Sequence, residues 1–139
     1  MRKHHLIWNE SRHSVGIALI DSQHRELIER VNKIANGVAK KDHSEPVQEM
    51  LGDLILFASE HFAVEERLMA EYAFPDMESH IEEHRRLFQQ LNNLIKADLR
   101  APRLNKAALV SAFLTDWAEQ HILQADKELG EFLVAKGLS

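Results

Sequence analysis

Five of the nine histidines in this sequence fall where an amphipathic helix would place its core. The apolar series Ile20, Leu27, Val31 has a gap that His24 fills. His61 and then Glu65 interrupt Leu54, Phe57 and Leu68. His80 and His84 stand between Met77 and Leu87, and His121 between Trp117 and Ala125. Residues three or four apart share a helix face, so these imidazoles point inward with the leucines around them. One inward histidine is ordinarily a hydrogen-bonded core residue. Five of them with acids are not, because each buried polar group left without a partner costs about 1–3 kcal/mol. A metal ion satisfies them together.

Spacing and ligand type narrow the chemistry. His61 with Glu65, and His80 with His84, are four apart and can each serve one site from one helix. His121 and Asp126 are five apart, about 140° around an ideal helix, and need a local π-type turn to share a face. Imidazole with carboxylate and no sulfur suits iron, while zinc, copper and manganese also accept it. These seven residues are too many for one ion and suit two ions that share the carboxylates. His80-Ile81-Glu82-Glu83-His84 also matches the H-x-x-E-H zinc-protease pattern, but three further helices supply histidines to the same core. A ferritin-like centre needs Glu-x-x-His on two helices, and among the five inward histidines only His24 has an acid three residues before it, Asp21. His4, His5, His13 and His43 fall in an arm or a loop and are expected to be solvated.

Four helices must position these side chains. The first is expected over about 21–39. The second begins near Ser44, a candidate N-cap, with Pro46 in its first turn, and runs to about Tyr72. Pro75 breaks it and opens the third, and the stretch around Pro102 separates the third from the fourth. The fourth reaches about Lys136, with Gly137 where a C-terminal cap belongs. The expected fold is all-α, an up-down-up-down four-helix bundle in a single domain over 1–139. Residues 1–20 form an extended N-terminal arm that packs Trp8, Val15 and Ile17 on the bundle, which occupies 21–136.

The bulk composition excludes several classes. A net charge of -5 gives no basic face for nucleic acid. The absence of cysteine excludes disulfides, iron–sulfur clusters and thiolate zinc sites. No run approaches the ~18 apolar residues of a membrane span, and the opening MRKHHLIWN lacks the apolar stretch of a signal peptide. A cytoplasmic protein without membrane insertion is expected.

At this level of detail the sequence resembles the bacterial hemerythrins over essentially its whole length. The resemblance rests on Trp8-Asn9, Ser14-Val15-Gly16-Ile17 and Ile20-Asp21-x-Gln23-His24. It continues through His61-Phe62-x-x-Glu65-Glu66-x-x-Met69, Pro75, His80-x-x-x-His84 and His121-Ile122-x-x-x-Asp126. It closes on Phe132-Leu133-x-x-Lys136-Gly137, which implies a complete domain. Phe74 departs from the tyrosine frequent in the family, outside the ligand set.

The resemblance implies reversible dioxygen binding at a non-haem di-iron centre. His24, His61, His80, His84 and His121 would be terminal ligands, and Glu65 and Asp126 would bridge, with an oxo or hydroxo group as third bridge. It adds His121 to the iron of His80 and His84, which leaves His24 and His61 for an iron with one open position. Dioxygen, or an anion such as azide, would bind there. Apolar neighbours, among them Phe57, Trp117 and Ile122, would line the gas pocket and exclude water. A carrier, store or sensor of oxygen is expected rather than an enzyme. The alternatives are a di-iron enzyme acting on peroxide or nitric oxide, and an interaction module that reports its iron state. The sequence names no protein recipient for the oxygen.

Overall fold

The computed structural model describes residues 6–39, 44–100, 106–121 and 125–139. His4, His5, His43 and Ile122 lie outside them, as does the side chain of Ser44. The described residues form six helices: α1 Glu10–His13, α2 Ala18–Ala39, α3 Ser44–Tyr72, α4 Met77–Arg100, α5 Lys106–Gln120 and α6 Asp126–Ala135. Helix α2 packs on α3 and α5, and α4 packs on the same two, so the long helices close into a four-membered ring. The expected fourth helix is α5 and α6 in succession, and its backbone is π-helical at His121 and again at Ala125. Among the described residues no helix is long and apolar enough to cross a membrane.

The arm differs from an extended segment in one respect. Asn9 caps the single turn α1 by accepting from the Arg12 N–H at 3.2 Å. Beyond it, Asp21 in the first turn of α2 accepts from Ser14 Oγ at 2.6 Å and from the Val15 N–H at 2.8 Å. Those bonds start α2 at Ala18, three residues before the hydrophobic pattern alone places it. Val15 and Ile17 are buried, and Trp8 packs on the core, as expected of the arm.

His13 overturns its expected place on the surface, being only 1% exposed. Its Nδ1 accepts from the Asn9 N–H at 2.8 Å, and its Nε2 faces Glu119 Oε2 at 3.4 Å. The turn of α1 folds the imidazole back under the arm, a placement that a loop reading of residues 1–20 cannot supply.

Two apolar clusters fill the bundle with a polar layer between them. One holds Leu27, Val31, Leu54, Ala58, Leu87, Leu91, Leu114 and Trp117. The other holds Val15, Ile17, Ile20, Met69, Phe74, Leu129 and Leu133. Helices α2, α3 and α4 each run from one cluster to the other through expected ligand residues, and His121 and Asp126 lie between the parts of α5 and α6 in the two clusters. That is the structural form of the gaps in the apolar stripes.

Candidate metal centre

All seven expected ligands meet in the layer between the clusters. His24, His61, Glu65, His121 and Asp126 are fully buried, and His80 and His84 nearly so. Their metal-binding atoms fall into two groups. His24, His61, Glu65, His121 and Asp126 form one; Glu65, His80, His84 and Asp126 form the other. Both carboxylates belong to both groups. Glu65 Oε2 lies 3.0 Å from His61 Nε2, while its Oε1 lies 3.2 Å from His80 Nε2 and 2.9 Å from His84 Nε2. Asp126 Oδ2 lies 2.6 Å from His24 Nε2 and 2.9 Å from His121 Nε2, while its Oδ1 lies 3.1 Å from His80 Nε2. Each acid therefore turns one oxygen to each group, which is how a carboxylate bridges two ions.

The contacts fit coordination better than hydrogen bonding. Glu65 Oε2 and Asp126 Oδ1 lack a hydrogen-bond partner among the described residues despite imidazole nitrogens at about 3 Å, so donor and acceptor are not aligned. His24 Nε2 and His61 Nε2 stand 3.2 Å apart, and His61 Nε2 and His121 Nε2 3.3 Å. Ligands at right angles on a transition ion with bonds near 2.1 Å stand about 3 Å apart. Five imidazoles presenting Nε2 to common points, with buried oxygens unpaired, suit a metal pair by donor type and by convergence.

Electrostatics hold this layer together. Burial by itself lowers the pKa of His61 and His80, but the carboxylates of Glu65 and Asp126 override it and raise both to about 10. His24 is raised against burial by the same acids, whereas burial prevails at His121 and lowers it. Burial and mutual repulsion push Glu65 upward, but the imidazoles prevail and hold it well below the ordinary carboxylate range. Asp126 is likewise held low against its burial, chiefly by His121. The layer is thus two carboxylates among imidazoles with a strong hold on protons, the charge pattern that a cation replaces.

His121 departs from the arrangement that the resemblance implies. Its Nε2 stands with His24 and His61 rather than with His80 and His84, because Asp126 Oδ2 draws it to that side. Its ring is nonetheless central, with its centroid 5.3 Å from that of His61 and 5.7 Å from that of His84.

The expected pocket residues separate. Trp117 stacks over His121 at 6.4 Å and donates its indole N–H to Leu87 O at 3.2 Å. Phe57 sits one turn away from the layer and is only partly buried, with the Arg30 guanidinium 4.2 Å over its ring. Phe62 takes the place expected of it: its ring stacks on His84 at 4.2 Å and meets His121 edge-on at 5.2 Å. Helix α3 turns His61 and Phe57 toward α2 and Phe62 and Glu65 toward α4, so a stripe drawn through Phe57 misses the aromatic that matters. Sequence reasoning also gave no role to Gln23 and Glu66, whose oxygens hold the outer nitrogens of His61 and His84 at 2.7 and 2.9 Å. Each adjoins a ligand in the chain, and that adjacency was the available signal.

Comparisons with known proteins agree with this geometry. The family model described as the hemerythrin HHE cation binding domain matches residues 15–133. A bacteriohemerythrin of Methylococcus capsulatus is 28% identical over 130 residues, covering 94% of this chain and 98% of that one. One from Campylobacter jejuni is 22% identical over 131 residues, with the same coverage. The crystal structure of a wild-type hemerythrin superposes with a TM-score of 0.80 at 24% identity, over 92% of this chain and 97% of that one, and supports the fold. The chain belongs to the hemerythrin family, whose members bind iron and typically oxygen.

Proposed function

We propose that the chain binds dioxygen reversibly at two iron ions held by His24, His61, Glu65, His80, His84, His121 and Asp126, and that it is a carrier, store or sensor rather than an enzyme. The observation that carries this reading is the sharing of both carboxylates between two groups of imidazoles. A ferrous pair supplies electrons that dioxygen takes up and gives back.

The surrounding residues do the rest. Five imidazoles and two shared acids would fall short of two octahedral shells, which would leave room for a solvent-derived bridge and for one open position that the resemblance puts on the ion of His24 and His61. Leu27, Leu54, Leu87 and Leu114 above the layer, and Ile20, Met69 and Leu129 below it, keep water out. Trp117 spends its only hydrogen-bond donor on Leu87 O, so the nearest indole supplies no proton to bound gas. An apolar surround that offers few proton donors favours return of the gas intact. Anaerobic reconstitution with iron, followed by alternate exposure to oxygen and argon, tests the reading. A spectrum that cycles supports it, and sustained turnover of peroxide or nitric oxide without such cycling contradicts it.

A further inference from the structure

The outer nitrogens of two ligand imidazoles face partners of different charge. His61 Nδ1 donates to the neutral amide oxygen of Gln23 at 2.7 Å, and His84 Nδ1 donates to the carboxylate of Glu66 at 2.9 Å. An oxygen acceptor fixes the hydrogen on Nδ1 and leaves Nε2 for the centre. His24 Nδ1 and His121 Nδ1 have no partner among the described residues. Among those residues, Glu66 is therefore the one charged partner of an outer nitrogen, and it serves the group of His80 and His84.

We infer that Glu66 and Gln23 build a redox asymmetry into the centre: Glu66 makes the half held by His80 and His84 the better seat for a trivalent ion, and Gln23 leaves the half held by His61 better suited to a divalent one. A carboxylate draws the Nδ1 hydrogen toward itself and gives the ring imidazolate character, so Nε2 becomes a stronger donor and favours the higher charge. A neutral amide polarises the ring less. In the cleft between α3 and α4, Arg85 pairs with Glu82, and among the described residues Glu66 forms no ion pair with it. The Glu66 side chain is 35% exposed, so solvent screens it and the effect belongs at the lower end of the 10–100-fold range known for such partners.

This inference rests on the proposed iron centre, and its test separates the two. Glu66→Gln keeps an acceptor oxygen and removes the charge, while Gln23→Glu adds a charge opposite. For Glu66→Gln, competition with a chelator should show cobalt(II) bound about tenfold more weakly. The iron midpoint potential should rise by about 59 mV for one electron, which is a tenfold loss of preference for the trivalent over the divalent ion. Gln23→Glu should lower the potential, and it keeps the idea testable should Glu66→Gln fail to fold. A potential within about 18 mV of the parent (a twofold change) in a folded Glu66→Gln, or an unmoved potential in Gln23→Glu, overturns the inference. Cobalt binding involves no dioxygen. If the parent fails to oxygenate while the two variants shift the iron potential as stated, the proposed function is refuted and the asymmetry upheld.

Discussion

His121 Nε2 lies 2.9 Å from Asp126 Oδ2, although the two residues are five apart in the chain. An α-helix would set them about 140° apart, and the π-helical backbone at His121 and Ala125 absorbs the extra residue. Both side chains face the same buried layer. His121, one residue past the end of α5, and Asp126, at the start of α6, thus bring an imidazole and a carboxylate to the same layer.

The bridging acids should be indispensable for holding two ions. Asp126→Asn and Glu65→Gln preserve shape and remove a charge that both groups share. Iron content should fall well below that of the parent, with the helical spectrum retained. His84→Ala should lose iron and also cost about 1–3 kcal/mol, because its partners are left unpaired in the core. Elemental analysis with thermal melts checks both. Full iron in Asp126→Asn would remove that residue from the centre.

Protons and metal compete for the same nitrogens. In the iron-free protein, His61 and His80, raised to about 10, contribute stability that is full below the ordinary histidine range and lost as pH rises toward 10. Glu65 and Asp126, held low, contribute stability present above the carboxylate range and lost as pH falls through their depressed values. Iron-free melting temperatures should peak at about pH 5 to 6.5 and decline on both sides. Metal uptake at pH 7 should release at least two protons per chain, those of His61 and His80, with His24, also raised, adding to them. A weakly buffered indicator dye reads this directly, and uptake without acidification would contradict the charge pattern.

Much of this was legible in the sequence because it depends on period. The gaps in the stripes at His24, His61, His80, His84 and His121 are local features, and spacing alone predicts a π-type turn before Asp126. What was not legible depends on how elements meet. His13 is buried only because α1 folds back toward Glu119, and Phe62 rather than Phe57 reaches the imidazoles because of the rotation of α3. The side of the centre that His121 takes is likewise set by Asp126, a residue on another helix segment.

Backbone geometry gives two stability predictions of opposite sign. Ala73 ends α3 with φ 57°, and the following Phe74 N–H bonds Met69 O at 2.9 Å, the geometry of a glycine-capped helix end. Ala73→Gly should stabilise by about 1 kcal/mol. A Cβ on Gly130 would come within 2.3 Å of Val15 O, so the arm and α6 can approach only across a glycine. Gly130→Ala should destabilise by about 1–3 kcal/mol despite its better helix propensity. Denaturant midpoints check both, and equal signs would refute the geometry.

His13 should secure the arm. His13→Ala removes the acceptor of the Asn9 N–H and the neighbour of Glu119, and should cost about 1–3 kcal/mol with iron retained. Hydrogen exchange localised to the arm is the sensitive readout. Loss of iron on the scale of His84→Ala would instead place His13 in the centre.

The central claim is tested most directly by measuring iron content and optical spectrum together on anaerobically reconstituted protein. The account predicts two iron ions per chain and a visible spectrum that develops with oxygen, disappears when oxygen is removed, and returns on repeated cycling. One metal per chain, preference for zinc in competition with iron, or a single irreversible oxidation would contradict it.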